Sequence, residues 1–365
     1  MTVTPQRASN VTKFHRTPTI LFLGLGLAAW VLGAAQRGTE PAAAAPVSPG
    51  DAPASIVAAA RALLSALDDA GRTRVQFPFD SPQKTRWSNL PTGVFQRQGL
   101  RMGDLTAAQR SAMMGLLQTT LSPDGYRKVT EIMRGDEVLR TGEGGGALRG
   151  GGGGGVVFGE DEYYLAFLGT PSTTTPWMMQ FGGHHLAINL TLAGTQASMT
   201  PSLPAAQPAT YTFEGRQIRP LGLENDKAFA LINALDATER GQAILNYRVS
   251  DLVLGPGQDG RVIQPEGIRA AALSAPQQTM LLDLVHEWAG IMNESFAELR
   301  MAEIRANLPQ TYFAWSGPTT NGSLAYFRIQ GPTVVIEYAP QRSVDHIHTI
   351  YRDPTNDYGA KFVAK

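Results

Sequence analysis

The sequence predicts an α+β fold in which an antiparallel sheet packs with several helices. Strand signals gather in two blocks, a central one over 156–213 and a C-terminal one over 311–352, while helix signals lie before and between them. The last four strand segments follow one another through short turns, as in an antiparallel meander. Such segregation argues against a doubly wound sheet, where helix and strand alternate. The 365 residues are 43% hydrophobic and 17% charged, which is enough apolar material for a sizeable core.

The elements follow in order. Lys13, His15 and Arg16 precede Ile20–Ala35, sixteen residues without a charge. A charged flank before an apolar run of that length reads as a signal peptide over 1–35 or, uncleaved, as an N-terminal membrane anchor. The expected location is therefore periplasmic or secreted, with membrane contact only through residues 20–35. Residues 36–53 are rich in Pro and Ala and read as a linker. A single exported domain is expected over 54–365. The first 45 residues carry four basic residues and one acidic one, out of 31 of each in the whole chain, so the remainder is acidic by three charges. A nucleic-acid binder would have the opposite sign. Cysteine is absent, which excludes thiolate catalysis, Cys-ligated zinc, iron–sulfur clusters and disulfides.

A first helix is predicted from an N-cap at Ser55, with Ile56, Ala60, Leu63, Leu64 and Leu67 on one face and Gly71 as the stop. Three later helices share one start signal, a capping box behind a staple leucine: Thr106 with Gln109, Asp236 with Glu239, and Ser274 with Gln277. The third is expected to run to about Arg305. Ser122-Pro123-Asp124 starts another helix, with Pro in its first turn. Nine glycines at 144–155 lack the Gly-Lys-Ser/Thr ending of a phosphate loop, and the segment 142–155 is expected to be a disordered surface loop.

Chemistry is concentrated in histidine. Five of the six histidines follow the leader, and four of these fall in two pairs, His184-His185 and His346-Ile347-His348. Residues i and i+2 of a strand share a face, near enough to chelate one ion. Adjacent residues point to opposite faces, so only one of His184 and His185 can join that ion. His185 shares the more polar face with Asn189 and is the preferred third ligand; His184 is expected to turn into packing. Glu337 is a candidate fourth ligand or base, provided the strand register brings it alongside the histidines. Asp345 is an alternative base. Behind His348 come Arg352, Asp353 and Asp357, which could orient ligands or hold an anionic substrate. Asp353, Thr355 and Asp357 have calcium-loop spacing, but Gly and Glu are missing from the required positions, so ordinary turn chemistry is the better reading. His286-Glu287 meets Gly290 where a zincin needs its second histidine, and Gly-x-Ser-x-Gly is absent.

Several of these segments occur together in a known arrangement. Trp87-Ser-Asn-Leu-Pro91, Arg101-x-Gly-Asp-Leu-Thr106, Phe167-Leu-Gly-x-Pro171, Gly183-His-His-Leu186, Tyr312-Phe-Ala-Trp-Ser-Gly317 and His346-x-His348-x-x-x-Arg352-Asp353 appear in that order. Over about residues 75–360 the chain resembles the bacterial family called domain of unknown function 3500. The resemblance implies that the two histidine segments form one site and implies no reaction.

The functional expectation is an exported, metal-dependent enzyme of hydrolase type. His185, His346 and His348 would hold a divalent ion, zinc first, although a nitrogen and oxygen ligand set suits copper or iron equally. Its partner would be a small molecule or peptide. The alternatives are a periplasmic binding or metal-handling module and a structural envelope domain whose histidines serve as hydrogen-bond partners.

Overall fold

A computed structural model describes residues 51–142 and 155–363 of the chain. The predicted leader, the linker as far as Gly50 and residues 143–154 of the glycine-rich segment lie outside these residues. The N-terminal part comprises α1 (Ala52–Ala66), α2 (Asp69–Val75), β1 (Gln76–Phe77), β2 (Leu100–Arg101), α3 (Ala107–Thr120) and α4 (Pro123–Thr141). The central block is β3 (Tyr164–Leu168), β4 (Trp177–Gly183), β5 (Leu186–Ala193), β6 (Gln196–Ser198) and β7 (Ser202–Pro204), followed by a separate hairpin of β8 (Tyr211–Phe213) and β9 (Arg216–Ile218). Then come α5 (Gly222–Ala234), α6 (Ala237–Ala243), β10 (Ile268–Arg269), α7 (Ala275–Ala289) and α8 (Glu294–Ala306). The meander β11 (Tyr312–Ser316), β12 (Tyr326–Gln330), β13 (Val335–Pro340) and β14 (Ile347–Arg352) completes the chain's strands.

The fold is α+β, as the sequence predicts. The two strand blocks are joined into one sheet in the order β1-β3-β4-β5-β7-β14-β13-β12-β11-β10, with β2 beside β3 and β6 beside β5. Every pairing is antiparallel except that of β1 with β3. The junction is β7, whose residues pair with β5 from Leu186↔Pro204 to Ile188↔Ser202 and with β14 at Tyr351↔Ser202. Each half of the sheet carries its own apolar cluster. Ile56, Leu63, Leu117, Phe167, Phe181 and Ile188 belong to the first, which packs α1 and α3 on β3–β5. Phe229, Leu281, Trp288, Trp315, Phe327 and Ile336 belong to the second, which packs α5 and α7 on β11–β13.

The helix starts obey the predicted chemistry. Thr106 and Gln109, and Asp236 and Glu239, exchange their reciprocal capping bonds, while the Gln277 side chain accepts from the Ser274 N–H at 2.7 Å. Ser122 accepts from the Gly125 N–H at 3.0 Å and starts α4. Two boundaries differ from expectation. The first helix begins at Ala52, since Pro53 is compatible with a first turn, and ends at Ala66, where Asp68 caps a new helix. The long helix from Ser274 breaks after Ala289, because Asn293 caps α8 and the intervening Ile291 and Met292 are buried, Met292 forming a bridge with Leu121.

Gly125 and Gly115 offer opposite tests of this packing. A Cβ on Gly125 would stand 2.1 Å from the Ile291 carbonyl oxygen, whereas one on Gly115 meets nothing within 4 Å. Gly115→Ala should raise stability by up to about 1 kcal/mol through helix propensity alone. Gly125→Ala should lower it despite the same propensity gain, and the two denaturation midpoints should move apart in urea.

Candidate metal centre

His184 and His185 form the two-residue connection between β4 and β5, because the ladder closes at Gly183↔Leu186. The sequence reading placed them on the strand itself, with opposite faces. Two-residue connections require left-handed backbone, usually supplied by Gly or Asn. Here His185 takes it, with φ at 59°. The surroundings hold this conformation. Arg97 donates to the Gly183 carbonyl at 2.7 Å, the Tyr163 hydroxyl to that of His184 at 2.8 Å, and Ala205 N–H to that of His185 at 2.8 Å. His185 N–H in turn donates to the Asn89 carbonyl at 3.2 Å. The Tyr163 ring also explains Gly183, since a Cβ there would stand 2.7 Å from it.

His184 turns inward, and its Nδ1 lies 2.6 Å from Oδ1 of Asp136, a carboxylate buried on α4. Its ring lies against that of His185, with centroids 3.7 Å apart. His185 is thereby backed by a ring whose Nδ1 is engaged elsewhere. Its Nε2 lies 2.9 Å from Nε2 of His346.

His346 and His348 come from the start of β14. Ala339↔His348 and Pro340↔Ile347 set the register with β13, and Gln341 N–H donates to the His346 carbonyl at 2.6 Å. His346 itself precedes the strand by one residue, while Ile347 bridges to Ala206. The Nε2 atoms of His346 and His348 are 2.9 Å apart, and the three residues each offer a ligand nitrogen within 4.8 Å of the others. His185 is buried; His346 and His348 are half-buried.

This arrangement could hold a metal ion. A ring nitrogen carries either a proton or a lone pair. His346 Nε2 nevertheless faces two ring nitrogens at 2.9 Å, and one proton on it cannot point well at both. A cation satisfies all three lone pairs at once. Bonds of about 2.0–2.1 Å around a tetrahedral ion would set the nitrogens roughly 3.4 Å apart, a small spreading from the distances seen here. Asp251 Oδ1 lies 3.6 Å from Nδ1 of His348, beyond a hydrogen bond but on the side that would favour a proton on Nδ1 and a lone pair on Nε2. Burial, then the neighbouring histidines, hold His185 well below the usual imidazole range. Burial also pushes His346 down to about 4, with His348 and His184 adding to the shift. Both are neutral at pH 7, the form a metal requires. The sequence reading missed Asn89, whose Nδ2 lies 3.2 Å from Nε2 of His348. Its signal was its place in Trp87–Pro91, one of the segments that carry the family resemblance.

The predicted acid and arginine residues are held by other partners. Register does bring Glu337, opposite Ile350, onto the face of His348. Its carboxylate, however, accepts from the Val253 and Leu254 N–H groups at 3.0 and 2.7 Å and from the Tyr326 hydroxyl. Burial raises its pKa. Arg352 donates to the carbonyls of Leu254 and Gly255 and pairs with Asp259 and Asp357. Asp353 pairs with Arg300 at 2.9 Å and accepts from the Thr355 N–H and hydroxyl, which is turn chemistry. Asp357 accepts from the Asp353 N–H at 2.9 Å. Asp345 accepts from Ala209 N–H at 3.0 Å. The ring of His286 is exposed on α7.

A three-histidine group at the seam of a mostly antiparallel sheet thus defines an α+β domain with a candidate metal centre. The chain belongs to the DUF3500 family of proteins of unknown function, whose model matches residues 50–360. No curated protein and no solved structure matches the chain.

The buried neutral histidines imply a pH dependence of known sign. Below about pH 6.5 the unfolded chain binds protons that folded His185 and His346 refuse, so stability is full above that pH and falls as pH drops toward the folded values. Melting curves in EDTA between about pH 7.5 and 4.5 should show this decline, and His346→Gln should flatten part of it.

Proposed function

We propose that the chain is an exported, metal-dependent enzyme of hydrolase type, with a divalent ion held by His185, His346 and His348. The observation that carries this reading is the convergence of three histidine ring nitrogens from two distant segments, with Asp251 behind one of them. Three protein ligands leave a coordination position for water or substrate, the arrangement of catalytic rather than structural zinc sites. A divalent ion there would supply Lewis acidity and a nucleophile at neutral pH. Asp251, 3.6 Å from Nδ1 of His348, would favour the tautomer that leaves Nε2 free for the ion. The backbone bonds of Asn89 and Ala205 fix the turn that aims His185. Asn89 presents an amide at the rim, able to orient a polar group of a small-molecule or peptide substrate. Export rests on the charged flank and apolar run at 13–35. Among the described residues no helix is long and apolar enough to cross a membrane.

Metal analysis of untagged protein tests the site. About one ion per chain is expected, with at least a tenfold loss of affinity in His346→Ala and His348→Ala and none in His286→Ala. Metal-free protein with an intact fold would overturn the reading. Hydrolysis of a panel of ester, amide and phosphoester probes should be abolished by chelation and restored by zinc. A bound ion without such turnover would leave a metal-handling module.

A further inference from the structure

Among the described residues the β8–β9 hairpin pairs with no other strand, so its position depends on what it covers. It is docked on α4 by the Tyr211 hydroxyl, which donates to the Glu131 carbonyl at 2.6 Å, and by Arg134, which lies 4.4 Å over the Phe213 ring. Between this hairpin, α3 and α4 lies a cavity of about 430 Å³. That volume falls in the range of about 300–1,000 Å³ typical of small-molecule sites.

Its lining has two parts. Met102, Met114 and Met133, with Phe213 and Ile218, make an apolar wall, and methionine side chains adapt to irregular aliphatic ligands. The remaining lining holds four arginines, at 110, 127, 134 and 216, against two carboxylates, Glu131 and Glu160. Three of these arginines are already paired: Arg110 with Asp161, Arg127 with Asp124 and Glu131, and Arg134 with Glu160. Arg216, on β9, has no ion pair among the described residues.

We infer that this cavity binds an amphipathic carboxylate, its unbranched acyl chain against the methionines and its head group at Arg216. The two halves of the lining match the two halves of such a molecule. An apolar chain alone would make no use of Arg216, the lining arginine without an ion pair among the described residues, and a small anion alone would leave the apolar wall wet. The site is separate from the three histidines and does not depend on a metal there.

Calorimetric titration of the full chain with sodium dodecanoate, kept below its micelle concentration, tests the inference. One saturable site is expected. Dodecanol and short-chain acetate should bind at least tenfold more weakly. Arg216→Glu, an exposed substitution that leaves the fold intact, should weaken dodecanoate by a similar factor, and Met114→Trp should block it by filling the cavity. Absence of saturable binding, equal affinity for dodecanol, or unchanged binding in Arg216→Glu would each overturn the proposal. Metal content of the same samples keeps the result independent of the histidine site.

Discussion

The pairing of β7 with both β5 and β14 is the constraint on which the site depends. Ser202–Pro204 lies between a strand whose preceding turn supplies His185 and a strand whose start supplies His346 and His348. The backbone just beyond β7 continues the link: Ala205 donates to the His185 carbonyl, and Ala206 exchanges two 2.9 Å hydrogen bonds with Ile347. The distance between the two histidine segments is therefore set by main-chain bonds rather than by side-chain adjustment. Trp288 strengthens the arrangement from α7 by donating to Thr349 Oγ1, which itself donates to the Pro204 carbonyl.

Several buried charged groups act as braces between elements. Arg352 ties β14 to the 254–255 backbone, Glu337 holds the neighbouring 253–254 amides, and Arg300 anchors α8 to Asp353 and Tyr351. Lys128 joins α4 to Glu224 of α5 and Glu287 of α7. In each case charge is answered by charge or by backbone dipoles, and removal of one partner of such a buried pair costs about 3–5 kcal/mol. The three converging histidines differ because Nε2 of His346 faces two ring nitrogens at 2.9 Å, more than one proton can serve. That contrast distinguishes a ligand set from a scaffold.

The sequence was informative where local physics decides. Capping boxes located helix starts because they need only four consecutive residues, and the four C-terminal strands were legible from their apolar runs and short turns. The convergence of His185 with His346 and His348 followed from density and spacing. The strands β1, β2, β7 and β10 have two or three residues each, too few for any periodicity to register. His184-His185 was read as strand because nothing in two histidines announces a turn; Tyr163, Arg97 and Asn89, all remote in sequence, impose it. Glu337 shows a different limit. Its face was tied to register, but the amides that occupy it come from a segment more than eighty residues away.

A sheet whose two halves meet through three residues also has a consequence for how the chain folds. Each half has its own apolar cluster, α8 lends Phe296 and Ala297 to the first and Met301 and Ile304 to the second, and the seam within the sheet is the region of least redundant strand pairing. An ion bridging His185 to His346 and His348 would add its binding energy at that seam, and only when both halves are in place. Metal loading would then act on cooperativity as well as on the midpoint. It would raise the cost of a local opening at the seam toward that of opening the whole domain.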